Sequence, residues 1–308
     1  IGTQAREVIE SHRGRFDVLG LSAGGASITE LAAQIVALNP AYVGVARDVR
    51  EELLAAVESM GGTCPEVFVG DNASVEVVCA SVERAAQLYP SATPVVLNGI
   101  TGGVGLSSTL AALTCGARLA LANKESLVVG GALVKNVMRF PGQIVPVDSE
   151  HSAIAQALAS GVHERGLTSP VVSGRSEVAD LVLTASGGPF RGRRREELRG
   201  VRAEQALAHP TWQMGPVVTI NSSTLINKGL ELIEAHLLFD VAPEHIVATV
   251  HPQSIVHSMV TWCDGATTLQ ASPPDMRLPI ALGLTWPERL ADVEQPLTWV
   301  SASEWTFE

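Results

Sequence analysis

Two acids stand two positions apart in PVDSEHSAIAQAL (146–158): Asp148 and Glu150, between an apolar run (Ile144, Val145, Val147) and a stretch of helical spacing. A carboxylate beside a core is costly unless a partner offsets its charge. If the backbone is extended there, side chains at i and i+2 point to one side. Asp148 and Glu150 then face a single cation with Ser149 between them, and all-oxygen donors suit Mg2+ or Mn2+ better than zinc. The same residues also suit a helix start, with Asp148 or Ser149 as the cap and Glu150 favouring the positive end. This stretch alone leaves both readings open.

A third acid bears on the choice. In NKGLELIEA (227–235), helical spacing puts Asn227 and Glu231 at i,i+4 and Lys228 and Glu231 at i,i+3. The three share one face, and Glu234 extends it. Gly229 keeps that face open to a ligand. Amide, cation and acid together serve a metal ion and a phosphate; an ordinary surface Lys–Glu pair is the alternative.

Anions find further hosts. Ser222, Ser223 and Thr224 stand at the start of the helix read over 224–239, where free N–H groups and the helix dipole favour phosphate. Plain capping explains them equally. Ser186-Gly187-Gly188 ends a strand-like run within LVLTASGGPF (181–190) in an exposed turn. HPTWQMGP (209–216) sets His209, Trp212 and Met214 between two prolines, either as a lid over a ligand or as an irregular connector. His257 lies on a strand-like run, where a satisfied core histidine is the plain alternative to a ligand contact.

Two junctions suit a dinucleotide. NGITGGVGL (98–106) carries Gly99, Gly102, Gly103 and Gly105 between a strand and a helix, although the spacing is not G-x-G-x-x-G. ALANKES (120–126) places Asn123, Lys124 and Glu125 at a strand–helix junction. An NAD site usually holds its ribose with an acid after the second strand. After FDVLGLS (16–22) no acid comes before Glu30, which points away from NAD; no Lys or Arg for a 2′-phosphate stands in that stretch either.

These groups need a scaffold. FDVLGLS (16–22), AYVGVA (41–46), PEVFV (65–69), PVVLN (94–98), ARLALA (117–122) and QIVPV (143–147) read as buried strands. Helical stretches alternate with them over 28–38, 50–60, 75–88, 107–115 and 125–138. That alternation predicts an α/β, doubly wound parallel sheet with ligands at the carboxyl ends of its strands. IGTQAREVIE (1–10) reads as a helix with no strand before it, so a first strand is expected to be missing. After 160 the chain changes: a Gly/Ser-rich loop over 160–179, a basic, solvated run (Arg191, Arg193, Arg194, Arg195), and strand-like runs at 245–250, 254–260 and 266–271 with no long helix between them. These predict a second, α+β domain.

Composition agrees. With 308 residues, 46% hydrophobic and 17% charged, the chain suits two globular domains. A net charge of -11 excludes nucleic acid and acidic membranes as bulk partners. Cys64, Cys79, Cys115 and Cys263 form no Cys-x-x-Cys motif and read as reduced thiols of a cytoplasmic protein. No run reaches the roughly 18–20 apolar residues of a membrane span.

LANKESLV, PVDSEHSA, LTASGGPF, HPTWQMGP, NSSTLINKGLELIEAHLLF, VHPQSIVHSMV and SPPDMRLPI occur in this order, and together they closely resemble the 1-deoxy-D-xylulose 5-phosphate reductoisomerase family. The resemblance implies a Rossmann-like NADPH-binding domain over 1–148 and a catalytic domain over 149–308, with a lid near 203–216. It implies NADPH-dependent conversion of 1-deoxy-D-xylulose 5-phosphate to 2-C-methyl-D-erythritol 4-phosphate in isoprenoid biosynthesis, by a cytoplasmic homodimer. Asp148, Glu150 and Glu231 are then the Mg2+ or Mn2+ ligands, and with Lys124 and His209 the catalytic residues. Ser149, Ser186, His209, Trp212, Ser222, Asn227, Lys228 and His257 bind the phosphosugar. Gly2, Ala23, Gly24, Gly99, Gly102, Gly103, Asn123, Lys124, Glu125 and Met276 lie along NADPH. Two departures from the family pattern are expected: only Ile1-Gly2 of the family's opening glycine-rich turn stands in this sequence, and its C-terminal helical domain is not among these residues. A metal-dependent phosphosugar lyase or phosphatase and a catalytically incomplete binding fragment are the alternatives.

Overall fold

In the computed structural model, which describes residues 1–212 and 215–308, α1 (Gly2–Ser11) precedes six short parallel strands. β1 (Gly20–Ala23), β2 (Tyr42–Val45) and β3 (Glu66–Val69) form one sheet in that order. α2 (Ile28–Leu38) and α3 (Arg50–Ser59) cover it. Their Leu31, Ile35, Leu53 and Val57 interlock with Val43, Val45 and Val67 of the strands in a dry cluster. α4 (Ala73–Leu88) packs on the same strands and on α5 (Leu106–Cys115). β4 (Val95–Asn98), β5 (Arg118–Leu121) and β6 (Ile144–Pro146) form a second parallel sheet, served by α5 and α6 (Lys124–Val137).

The α/β class and the parallel strands follow the pattern of the sequence. The expected sheet is divided, however: among the described residues β1 and β4 share no ladder. β1 also begins later than FDVLGLS predicts, because its ladder to β2 starts at Gly20 opposite Tyr42.

Register then places the chemistry. Asn98 pairs with Leu121 and Leu121 with Pro146, so the three strands end level. The Gly99–Gly103 turn, Asn123-Lys124 and Asp148 therefore leave one sheet edge together.

The second half begins with α7 (Ser149–Leu158) and a loop tethered by a 2.7 Å contact from His163 Nε2 to the carbonyl of Phe239. β7 (Val178–Ala185) lies between β8 (Ile246–Val250), parallel to it, and β9 (Val256–Trp262), antiparallel; β10 (Thr267–Ala271) completes a mixed sheet. α8 (Ala203–Ala206), α9 (Pro216–Ser223) and α10 (Ile226–Phe239) fall between β7 and β8, and α11 (Arg277–Thr285) follows β10. One apolar core joins Leu121 and Leu127 to Leu181, Leu183, Phe239 and Trp262. About 25 cal/mol per Å2 of apolar burial makes such clusters the main stabilising term.

One expectation needs correction. Ser222, Ser223 and Thr224 do not open α10. They end α9, and Leu225 at φ 60° breaks the chain before α10 starts at Ile226. Their hydroxyls turn back onto α9, Ser222 Oγ donating to the carbonyl of Val218 at 2.9 Å and Ser223 Oγ to that of Ile220 at 2.7 Å. Their cluster does not mark a helix N-terminus.

Candidate active site

Asp148 occupies the N-cap of α7, yet its carboxylate makes no cap hydrogen bond. It reaches the Lys124 ammonium instead, Oδ2 to Nζ 2.5 Å. The stretch is thus neither extended nor plainly capped: the helix start supplies the geometry and a cation takes the charge. Lys124 Nζ also donates to Glu231 Oε1 at 3.0 Å and Asn227 Oδ1 at 3.1 Å, using its three donors. Lys228 Nζ meets Glu150 Oε1 at 2.7 Å, the second oxygen of Glu231, and the carbonyl of Thr184. Glu231 therefore bridges two ammoniums from a position 1% exposed, and the surface-pair reading of Lys228 and Glu231 fails. Ser149 Oγ donates to Glu150 Oε2 at 2.5 Å.

Burial disfavours the Lys124 ammonium, but Asp148 and Glu231 outweigh this and hold its pKa well above the ordinary lysine value. Burial likewise raises the Asp148 carboxyl, and Lys124 beside it wins, holding it below the usual range. For Glu150, burial and then the negative Glu231 push the carboxyl up to about 7. Glu234 is raised to about 7, chiefly by burial. Four acids here face two ammoniums, so the cluster is short of positive charge. One carboxylate oxygen each of Asp148, Glu150 and Glu231 lies within 4.8 Å of the others. Hard oxygen donors at that spacing fit a divalent cation of the Mg2+ or Mn2+ type.

His151 and Glu234 complete the interior. His151 Nε2 donates to the carbonyl of Glu231 at 2.9 Å, and its Nδ1 faces Glu234 Oε2 at 3.4 Å, with neither atom otherwise bonded. No sequence motif assigns His151 a role. Its signal was present: it follows Asp148 by three residues, as Glu234 follows Glu231.

The far side of the cluster is a polar rim. Gly188 at φ 66° runs so close to α9 that a Cβ there would lie 2.7 Å from the carbonyl of Ser222, which sets Ser186 beside that helix end. Thr211 and Trp212 donate their N–H groups to His209 Nδ1, at 3.2 and 2.9 Å. Nδ1 is then the acceptor, and Nε2–H donates to Ser186 Oγ at 2.9 Å. Burial lowers the His209 pKa. Trp212 stands edge-on to His257, ring centroids 5.9 Å apart. His257 is buried with Nε2 donating to the carbonyl of Ser272 at 3.2 Å, and burial lowers its pKa to about 4. Ser149, His257 and Ser272 line a cavity of about 370 Å3. Met214, named with this loop, lies outside the described residues.

Asn123 governs the cofactor edge. Its Oδ1 accepts from the N–H of Ser126 at 2.8 Å and caps α6, while Nδ2 donates to the carbonyl of Gly102 at 3.0 Å and to Glu125 Oε2 at 3.1 Å. Asn98, unassigned from sequence, donates to the carbonyl of Gly105 at 2.9 Å. Gly24, Gly102 and Gly103 have no atom within 4 Å of where a Cβ would stand, an open cradle that fits a dinucleotide backbone. Ile1 packs on Gly99, which brings Gly2 to this turn. Met276 packs into the cluster containing Ala120 and Val147. Ala23 ends β1 at the edge of the other sheet.

Three family models describe this chain: 1-deoxy-D-xylulose 5-phosphate reductoisomerase over residues 1–131, the C-terminal domain of that enzyme over 144–239, and a DXP reductoisomerase C-terminal domain over 271–308. The 1-deoxy-D-xylulose 5-phosphate reductoisomerase of Beutenbergia cavernae is 57% identical over 308 residues, covering 100% of this chain and 72% of that protein. The chain belongs to the 1-deoxy-D-xylulose 5-phosphate reductoisomerase family. The enzyme of the same name from Kitasatospora griseola is 53% identical, over 100% of this chain and 74% of its own.

Solved reductoisomerases share the fold. A crystal structure of DOX-P reductoisomerase in complex with NADPH, fosmidomycin and magnesium is 32% identical with a TM-score of 0.83, covering 100% of this chain and 72% of that one. The Zymomonas mobilis reductoisomerase in complex with NADPH is 34% identical with a TM-score of 0.82, covering 100% and 73%. The likeness bears out the Rossmann-like α/β domain and the second catalytic domain as a fold class.

Proposed function

We propose that this chain is an NADPH-dependent reductoisomerase that converts 1-deoxy-D-xylulose 5-phosphate to 2-C-methyl-D-erythritol 4-phosphate in isoprenoid biosynthesis. The observation that carries this reading is Glu231 reaching both Lys124 and Lys228 where two sheet edges meet. Asp148, Glu150 and Glu231 hold the divalent cation. When bound, that cation supplies Lewis acidity at the ketone and NADPH supplies the hydride.

The protein's own groups do the rest. Ser149 and Lys124 orient the substrate's oxygens beside the carboxylates. Lys228, Asn227, Ser186 and Ser222 anchor the phosphate, and binding energy there is remote from the reacting carbons. His209, with its Nε2–H on Ser186, and Trp212, against His257, cover the sugar and exclude water. NADPH lies over Gly2, Ala23, Gly24, Gly99, Gly102, Gly103, Asn123–Glu125 and Met276. Residues 1–148 form the cofactor domain and 149–308 the catalytic one, meeting at Asp148.

We further propose a cytoplasmic homodimer. No helix among the described residues is long and apolar enough to cross a membrane. Val129 and Leu133 on α6 and Ile226 and Ile233 on α10 are exposed apolar side chains suited to a second copy. Light scattering checks the dimer.

The test of function is direct. Deoxyxylulose phosphate and Mg2+ are added to the full-length protein, and NADPH absorbance is followed. Consumption of NADPH supports the reductoisomerase; release of phosphate or cleavage of the sugar with NADPH untouched supports the lyase or phosphatase instead.

A further inference from the structure

We propose that Arg47 holds the 2′-phosphate of NADPH and sets the preference for NADPH over NADH. This rests on the NADPH-dependent reading above and names the residue that the sequence alone did not supply.

The register of the first sheet carries the argument. Ala23 at the end of β1 pairs with Val45 at the end of β2. Two residues past each strand stand Gly25 and Arg47, so they leave the same carboxyl edge side by side. A Cβ on Gly25, built at φ 76°, would lie 3.5 Å from Arg47 Cβ. Glycine there keeps the approach to Arg47 clear, and the adjoining Gly24 has open space around it. Dinucleotide folds place the adenosine ribose at this edge, with an acid for a free 2′-OH or an arginine for a 2′-phosphate. The AGGAS turn has no acid.

Charge supports the same conclusion. Residues 1–60 contain five arginines and no lysine. Arg6 and Arg13 pair with Glu10, and Arg15 pairs with Glu288. Arg47 and Arg50 are exposed and make no ion pair or side-chain hydrogen bond among the described residues, and of the two Arg47 stands at the strand end beside Gly25 while Arg50 opens α3. Asp48, Glu51 and Glu52 are close in sequence and none of them pairs with Arg47. A free guanidinium presents a planar fork that matches phosphate in a bidentate way, which a ribose diol cannot exploit.

The experiment is a binding titration. NADPH and NADH are each titrated into the full-length protein and into Arg47→Ala and Arg47→Lys, with nicotinamide fluorescence and calorimetry as readouts. Loss of a charge-assisted contact predicts that Arg47→Ala weakens NADPH binding by about tenfold or more, with NADH binding unchanged. Arg47→Lys recovers part of the loss, since it keeps the charge without the fork. Unchanged NADPH affinity in Arg47→Ala overturns the assignment. Equal weakening of both nucleotides also overturns it, by showing a role in the loop or at the adenine. A wild-type protein that binds no NADPH overturns the cofactor reading itself, and the two failures are distinct.

Discussion

Lys124 Nζ lies 2.5 Å from Asp148 Oδ2, and this contact joins the first residue of α6 to the cap of α7. Both residues leave strands that end in register. The pair is a consequence of the parallel ladder between β5 and β6, and it delivers an ammonium and a carboxylate to the foot of α10, where Glu231 receives both the ammonium and its charge.

Glu231→Gln keeps the shape of the side chain and removes one of the three proposed anionic ligands. Mn2+ affinity is expected to fall by at least about tenfold, with the far-UV spectrum unchanged. Calorimetry decides it; an unaltered Mn2+ affinity removes Glu231 from the ligand set.

Lys124→Met leaves Asp148 and Glu231 without their shared cation. Breaking a buried pair in this way costs roughly 3–5 kcal/mol. Chemical denaturation should show that loss, and added Mn2+ should recover more stability in the variant than in the wild type. Equal gains in both proteins would separate the metal from this cluster.

Gly188→Ala introduces a Cβ 2.7 Å from the carbonyl of Ser222 in a left-handed backbone. A cost of about 1–3 kcal/mol follows from the strained conformation. The β7 turn must move away from α9, so KM for the phosphosugar should rise more than kcat falls. Thermal unfolding and steady-state kinetics together test this, and a variant with wild-type KM refutes the placement of Ser186 and Ser222 at one phosphate.

His257 titrates about 4 in the fold against an ordinary 6.5, because burial disfavours its charged form. The unfolded chain therefore binds the extra proton between these values. Stability from this group is full above about 6.5 and is lost as pH falls toward about 4, a change of up to roughly 3 kcal/mol. Urea denaturation across that range should show a shallower decline for His257→Gln than for the wild type. Parallel declines would mean that His257 gains its proton without cost.

Much of the scaffold was legible because short range decides it. α2 spans Ile28–Leu38 as its spacing predicts, and each of the six parallel strands falls within the run expected for it or one residue beyond it. Asn227, Lys228 and Glu231 share a helix face because 3.6 residues per turn requires it. Other points were hidden. Leu225 carries no turn signature, yet its left-handed backbone separates α9 from α10 and moves Ser222 from a helix start to a helix end. His151 looked like an ordinary helical residue until Glu234 arrived from a segment about eighty positions later.

The sequence by itself determined the alternating strands and helices of the first half and the acids and amines available to an oxygen-only metal site, since residue type and local periodicity settle those. Tertiary structure alone decided which charges meet. Asp148 sits where a cap belongs, and local rules would bond it to its own helix. It bonds instead to Lys124, because the ladder of β5 and β6 brings a nearly buried ammonium within 2.5 Å, and a full positive charge attracts the carboxylate more strongly than a backbone N–H dipole does. Gly25 and Arg47 show the same logic at the other sheet: twenty-two residues apart in the chain, they are neighbours only because β1 and β2 run parallel and stop together.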